Sequence, residues 1–195
     1  AIKKLKKKPS HILFDGNKVP DLKNYNLKAV IKGDQKIPSI SAASIIAKDK
    51  RQLLSNYIKK NSIWAVGKAS VKEIDKINIL QASLLAMKRA IKKLKKKPSH
   101  ILIDGNKVPD LKNYNLKAVI KGDQKIPSIS AASIIAKVSR DKFITTLARK
   151  NKGYGWDQNF GYGTKQHLKA IKKLGVNKHH RKTFSPTSKL KTHNI

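Results

Sequence analysis

Apolar positions along this chain recur with two different periods. Between Gln81 and Lys97, Leu84, Leu85, Met87, Ile91 and Leu94 fall at helical spacing with a strongly basic opposite face, and Pro98 is the expected stop. Ile101-Leu102-Ile103, introduced by His100, is an apolar run of buried-strand type that ends in the turn signal Asp104-Gly105-Asn106. Leu116 to Ile120 reads as a second short strand, and Gly122-Asp123 opens a loop that reaches Pro127. From Ser128 the spacing predicts a helix with Ile134, Ile135, Val138 and Leu147 on its apolar side and Ser128 or Ser130 as cap. Earlier in the chain, Arg51–Lys60 predicts a helix and Ile63–Val66 a strand. Val71–Ile79 reads as the start of a helix with Glu73 in its first turn. After Lys150 the chain turns Gly- and aromatic-rich through Tyr154, Trp156, Phe160 and Tyr162, followed by a short helix over Lys165–Leu174 and a basic tail from Lys178. Alternating strands and helices define an α/β class.

One passage occurs twice. Residues 1–48 and 90–137 are the same segment at an offset of 89, differing only at Phe14 and Ile103. A solenoid needs three or more shorter units with atypical ends, so this is not one. A recent partial duplication, a recombined gene or an assembly error accounts for such close identity better than a selected two-copy design.

Length and charge then narrow the function. The 195 residues carry 45 Lys+Arg against 11 Asp+Glu, a net charge of +34, and no cysteine. That removes disulfide scaffolds, thiolate metal sites and cysteine nucleophiles. No apolar run approaches the roughly 20 residues of a membrane span, and the lysine-rich start lacks signal-peptide character. The expectation is a cytoplasmic protein whose partner is a polyanion, with no obligate protein partner evident. Each copy contributes 11 Lys and 3 Asp, so the duplication adds to the basic character without creating it. Only five of the basic residues are Arg. A+T-rich codons would yield that bias, whereas phosphate recognition often favours the arginine fork.

Two of the few acids invite a chemical reading. Asp104 lies just past a buried-type strand, where open α/β sheets bind ligands. Asp141 follows Ile134 by seven residues and Val138 by three, so it shares the apolar helix stripe and needs a compensating charge. A hard divalent cation, Mg²⁺ or Mn²⁺, would serve. The plainer alternative is a turn-forming Asp104 and an Asp141 paired with Arg140 or Lys142. His179-His180 reads as a solvated pair on a basic tail. Gly153, Gly155, Gly161 and Gly163 fit no standard phosphate-loop spacing. The lysine faces at 3–8 and 92–97 read as solvated surface.

From Asp49 to about Ser188 the chain resembles the ribonuclease HII family. The resemblance rests on several stretches in order and spacing: Glu73 through Leu80, Ile103-Asp104-Gly105-Asn106, Ile120-Lys121-Gly122-Asp123 and Ser130 through Asp141. To these are added Trp156 with Asn159, Gly161-Tyr162-Gly163-Thr164 with His167, and His180-Arg181 with Phe184. It implies a ribonuclease H-like mixed sheet with flanking helices, and cleavage of RNA in RNA–DNA hybrids or at ribonucleotides embedded in DNA. Four carboxylates would hold two divalent metals, Mn²⁺ or Mg²⁺, that activate water and stabilise the leaving 3′-oxygen. Asp104 and Asp141 match two of the four. Tyr162 matches the tyrosine that stacks on the sugar at the junction, and Thr164, Lys165 and Arg181 fall where nucleic-acid contacts are expected.

The family's Asp-Glu-Ala-Gly-Arg-Gly motif, with its other two carboxylates, does not occur in this chain. Residues 1–48 stand in its place, as a misplaced copy before a domain over 49–188 that lacks its first strands, with a basic tail at 189–195. The copy offers Asp15 as a substitute metal ligand, but Gln52 aligns with Asp141. The expected sheet is incomplete, with exposed edges and apolar faces. The expected outcome is an impaired endonuclease. The alternatives are a non-catalytic basic nucleic-acid-binding protein and the unstable product of a rearranged gene.

Overall fold

The computed structural model describes residues 12–15, 27–30, 38–185 and 187–189 of the chain. The lysine face at 3–8 and the end of the tail, residues 190–195, lie outside the described residues. The chain divides into two compact units, residues 1–53 and 54–195.

In the first unit β1 (Ile12–Asp15) pairs in parallel with β2 (Leu27–Val30), from Ile12 opposite Leu27 to Asp15 opposite Val30. Helix α1 (Pro38–Asn61) begins in this unit. The second unit repeats the pairing. There β3 (Ile101–Asp104) runs parallel to β4 (Leu116–Val119), from Ile101 opposite Leu116 to Asp104 opposite Val119. Shifted by 89, the two registers coincide, so the repeated sequence forms the same strand pair twice. Each pair is a two-stranded sheet among the described residues.

A two-stranded sheet has little stability of its own and depends on what packs against it. In the second unit that support comes from helix α2 (Val71–Lys92). Its Ile91 joins Ile103 and Leu111 in a buried cluster, flanked by Met87, Ile101, Tyr114 and Leu116. The α/β class is as the pattern implied. Leu102 on β3 and Ile120 after β4 are exposed to solvent.

Helix α2 starts on a capping box, in which Ser70 Oγ accepts the Glu73 N–H at 3.2 Å and Glu73 Oε2 accepts the Ser70 N–H at 2.7 Å. The same carboxylate takes a two-pronged contact from Arg89, at 2.6 and 3.0 Å. The Arg89 hydrogen bonds first, then the Ser70 bonds, hold the Glu73 carboxyl at about 2 against its usual 4.5. A depressed carboxyl stabilises the fold above its unfolded value and loses that contribution as pH falls through the folded value. Between about pH 4.5 and pH 2, the melting temperature of the wild type should therefore fall towards that of Glu73→Gln, which keeps the cap but not the ion pair. Melting temperatures that stay equally far apart across that range would contradict the assignment.

Helix α2 kinks at Asn78, whose φ of 63° and ψ of 169° lie in territory almost reserved for glycine. Asn78 Oδ1 accepts the Gln81 N–H at 3.1 Å and so caps the second stretch. The helix then ends at Lys92 and does not continue to Pro98. Further turns would set Lys92, Lys93, Lys95, Lys96 and Lys97 at mutually repulsive helical spacings, and Pro98 disfavours helix at the residue before it.

Three other sequence expectations need correction. Ile63–Val66 forms no strand; residues 63–70 run as irregular chain along α2. A Cβ at Gly67 would stand 1.9 Å from the Ala86 carbonyl oxygen, and Arg89 Nη1 donates to the Lys68 carbonyl at 2.7 Å. The stretch is thus braced by a helix instead of a neighbouring strand. The loop expected from Gly122 is a short helix, α3 (Gly122–Lys125). Helix α4 (Pro127–Lys150) has Ile126 at its N-cap with no side-chain bond, so neither Ser128 nor Ser130 caps it. Pro127 at the first helical position removes one of the unpaired N–H groups of the helix start.

Beyond α4 lie the short α5 (Trp156–Asn159) and the amphipathic α6 (Lys165–Leu174), the latter at the bounds its spacing predicts. Tyr154, Trp156 and Ile171 form a second buried cluster, packed by Ile144, Leu147, Ala148, Ala170 and Val176. No helix among the described residues is long and apolar enough to cross a membrane.

Candidate nucleic-acid interface and carboxylate pair

Asp104 closes β3, and its Oδ1 accepts the Gly122 N–H at 2.8 Å where α3 begins. Asp141 lies on α4 with its side chain 18% exposed. Its Oδ1 takes Lys137 Nζ at 2.8 Å, one turn earlier, and has Arg140 Nη1 at 3.7 Å. The compensating charges are therefore Lys137 and Arg140, not Lys142. Both aspartates already have partners, and no group of three or more His, Cys, Asp or Glu among the described residues is placed to hold a metal. The described residues do not fit a two-metal centre. Asp15 is the last residue of β1, and the placement of its carboxylate lies outside the described residues.

The segment linking α5 to α6 is strongly braced. Asn159, buried, donates through Nδ2 to the Tyr154 carbonyl at 2.8 Å, while its Oδ1 accepts the Gly161 N–H at 2.8 Å. Phe160 adopts a left-handed φ of 47° and Gly161 one of 79°, which turns the chain tightly. The Tyr162 N–H bonds the Asn159 carbonyl at 2.8 Å, and the Thr164 N–H bonds that of Tyr162 at 2.8 Å. The Tyr162 side chain is left outside, 61% exposed, with the Arg140 guanidinium 5.5 Å from its ring centroid. Arg140 Nη2 also donates to the Phe160 carbonyl at 3.1 Å, and Lys137 Nζ lies 5.5 Å from the centroid of the Phe160 ring. One turn of α4 thus touches both the Asp141 carboxylate and the tyrosine loop.

Thr164 caps α6 by accepting the His167 N–H at 3.2 Å, and exposed Lys165 opens that helix. Arg181 stacks 3.9 Å from the centroid of Phe184. The chain just beyond it is pinned to α2 by Asp75, which accepts the Lys182 N–H at 3.0 Å, the Thr183 N–H at 3.1 Å and the Thr183 hydroxyl at 2.7 Å. Burial pushes the Asp75 carboxyl up, and these bonds outweigh it, leaving the group below its ordinary value.

The histidine pair also departs from expectation. His180 is buried, its ring stacked on His167 at 5.2 Å and set against Tyr154 at 5.1 Å and Trp156 at 5.2 Å. Burial, then the neighbouring His167, holds it below the usual imidazole range. His180 Nδ1 accepts the Asn177 N–H at 2.9 Å, while His167 Nδ1 donates to the Tyr154 carbonyl at 3.0 Å. His180 therefore serves the core.

Asp75, Lys137 and Asn159 stand out in the sequence only within the family-like stretches, and Arg140 both there and as a possible partner of Asp141. Its place in the Ser130–Asp141 stretch and the scarcity of arginine are the pointers to Arg140. Asp75 lies in the Glu73–Leu80 stretch, but its partners are more than a hundred residues away.

The family model described as Ribonuclease HII matches this chain over residues 1–70 and 53–187. The ribonuclease HII of Pelagibacter ubique is 75% identical over 145 residues, covering 74% of this chain and 78% of its own. That of Roseobacter denitrificans is 45% identical over 159 residues, covering 81% and 80%. The crystal structure of the ribonuclease H2 from Pyrococcus horikoshii is 29% identical with a TM-score of 0.47, and the match spans 62% of this chain and 64% of that one. The Pelagibacter and Roseobacter relatives are both ribonucleases. Within that class, the chain belongs to the ribonuclease HII family.

Proposed function

We propose that this chain binds RNA–DNA hybrids, or DNA containing ribonucleotides, in the cytoplasm, and that its family hydrolysis is impaired. The observation that carries the binding half is the outward-facing Tyr162, held on a braced loop beside the cap of α6. An exposed ring at a basic surface suits a sugar–phosphate partner, because RNA is read through shape, stacking and the 2′-hydroxyl. Thr164 and Lys165 at the start of α6, with Arg181 on the pinned C-terminal segment, extend that surface to phosphates.

The impairment follows from the carboxylates. Hydrolysis of this type needs Mn²⁺ or Mg²⁺, hard ions that demand several oxygen ligands. The chain immediately before Asp49 is the copied segment, not the strands that carry the family's other two acids. Asp104 and Asp141 alone are too few, and each already meets a donor. Residues 1–48 are accordingly a misplaced duplicate, and 49–188 a ribonuclease HII-like domain without its first strands.

The test is fluorescence anisotropy of a labelled duplex with one embedded ribonucleotide, in chelator so that no metal contributes. The full chain should bind it, and Tyr162→Leu should weaken binding by about tenfold, in the range of a lost ring–nucleotide stack. Equal binding by Tyr162→Leu and wild type would refute the role given to this surface.

A further inference from the structure

Arg140 makes contacts that a lysine could not make together. It donates to the Phe160 carbonyl at 3.1 Å, lies 5.5 Å from the Tyr162 ring centroid and stands 3.7 Å from Asp141 Oδ1. We propose that Arg140 is a positioning residue for Tyr162, presenting the ring to nucleic acid without itself contacting phosphate. This rests on the reading of Tyr162 as the nucleic-acid contact.

Three observations support it. The hydrogen bonds of Asn159 fix the backbone of the loop, but they leave the Tyr162 side chain free to turn. A planar guanidinium against the ring restricts that rotation and leaves the opposite ring face for a ligand. Second, the orientation of Arg140 is itself set, because a carbonyl and a carboxylate hold it from two sides. Its charge is thereby partly satisfied within the protein. Third, arginine is scarce in this chain, five among 45 basic residues, and three of the five stand where planarity is used. Arg89 forks onto Glu73, Arg181 stacks on Phe184 and Arg140 faces Tyr162.

The experiment measures duplex affinity in chelator at several salt concentrations. It compares the full-length wild type, Arg140→Gln, Arg140→Lys, Tyr162→Leu and the double variant Arg140→Gln/Tyr162→Leu, with thermal melts confirming that each folds. Arg140→Gln should weaken binding about threefold to fivefold, and Arg140→Lys should not restore it. The slope of log affinity against log salt should match the wild type in both. In the Tyr162→Leu background, Arg140→Gln should have almost no further effect.

A slope reduced by about one would mean direct phosphate contact and overturn the proposal. So would full recovery by Arg140→Lys, or an equal loss in the Tyr162→Leu background. If the wild type binds no duplex at all, the reading of the surface fails first and the proposal with it. If the wild type binds and Arg140→Gln binds as well, only the positioning role fails.

Discussion

Trp156→Ala should lower the unfolding free energy by about 3–5 kcal/mol, the usual cost of removing a fully buried large aromatic. Trp156 is 4% exposed and stacks on Tyr154 with centroids 5.0 Å apart and planes 16° from parallel. It also borders His180 and His179, so its loss opens the histidine cluster as well as a cavity. Domains of this size have about 5–15 kcal/mol to lose, so the variant should be close to unfolding at ordinary temperature. Urea unfolding followed by circular dichroism measures the change, and Trp156→Phe should be much milder. A loss below about 1 kcal/mol would mean that the cluster is not a packed core. A wild type with no cooperative transition would favour the reading of the chain as an unstable product.

Affinity for the embedded-ribonucleotide duplex should fall by about a thousandfold or more between roughly 50 and 200 mM salt. That is the response expected when about six or more phosphates are neutralised and their counterions released. A net charge of +34 makes so many contacts easy to supply. On the proposed reading, adding Mn²⁺ should act only as added salt. An affinity that hardly changes with salt would place binding in a few specific contacts. A gain on adding Mn²⁺ would restore a working metal site.

Much of this fold follows from local pattern. The α6 bounds, Lys165–Leu174, are those read from the sequence. Strands β3 and β4 announce themselves as short apolar runs closed by turn residues. What failed was decided at a distance. Ile63–Val66 looks like a strand in isolation, but Gly67 lies so close to α2 that the helix replaces a strand as its support. His180 looked solvated because the rings that bury it, Tyr154, Trp156 and His167, are separated from it by 13 to 26 residues.

The carboxylates were legible one at a time. Asp104 stood out at its strand end and Asp141 on its apolar stripe, but their present partners did not. Gly122 meets Asp104 at the start of helix α3, and Lys137 meets Asp141 from one turn earlier. The family stretches identify the chain clearly.

The chain is proposed to retain recognition without efficient cleavage. The most direct measurement incubates the full chain with the embedded-ribonucleotide duplex, with Mn²⁺ or Mg²⁺, at a protein concentration where anisotropy shows the duplex bound. The duplex should remain intact on a denaturing gel. Metal-dependent cleavage at the ribonucleotide that disappears with Asp104→Asn would contradict the account.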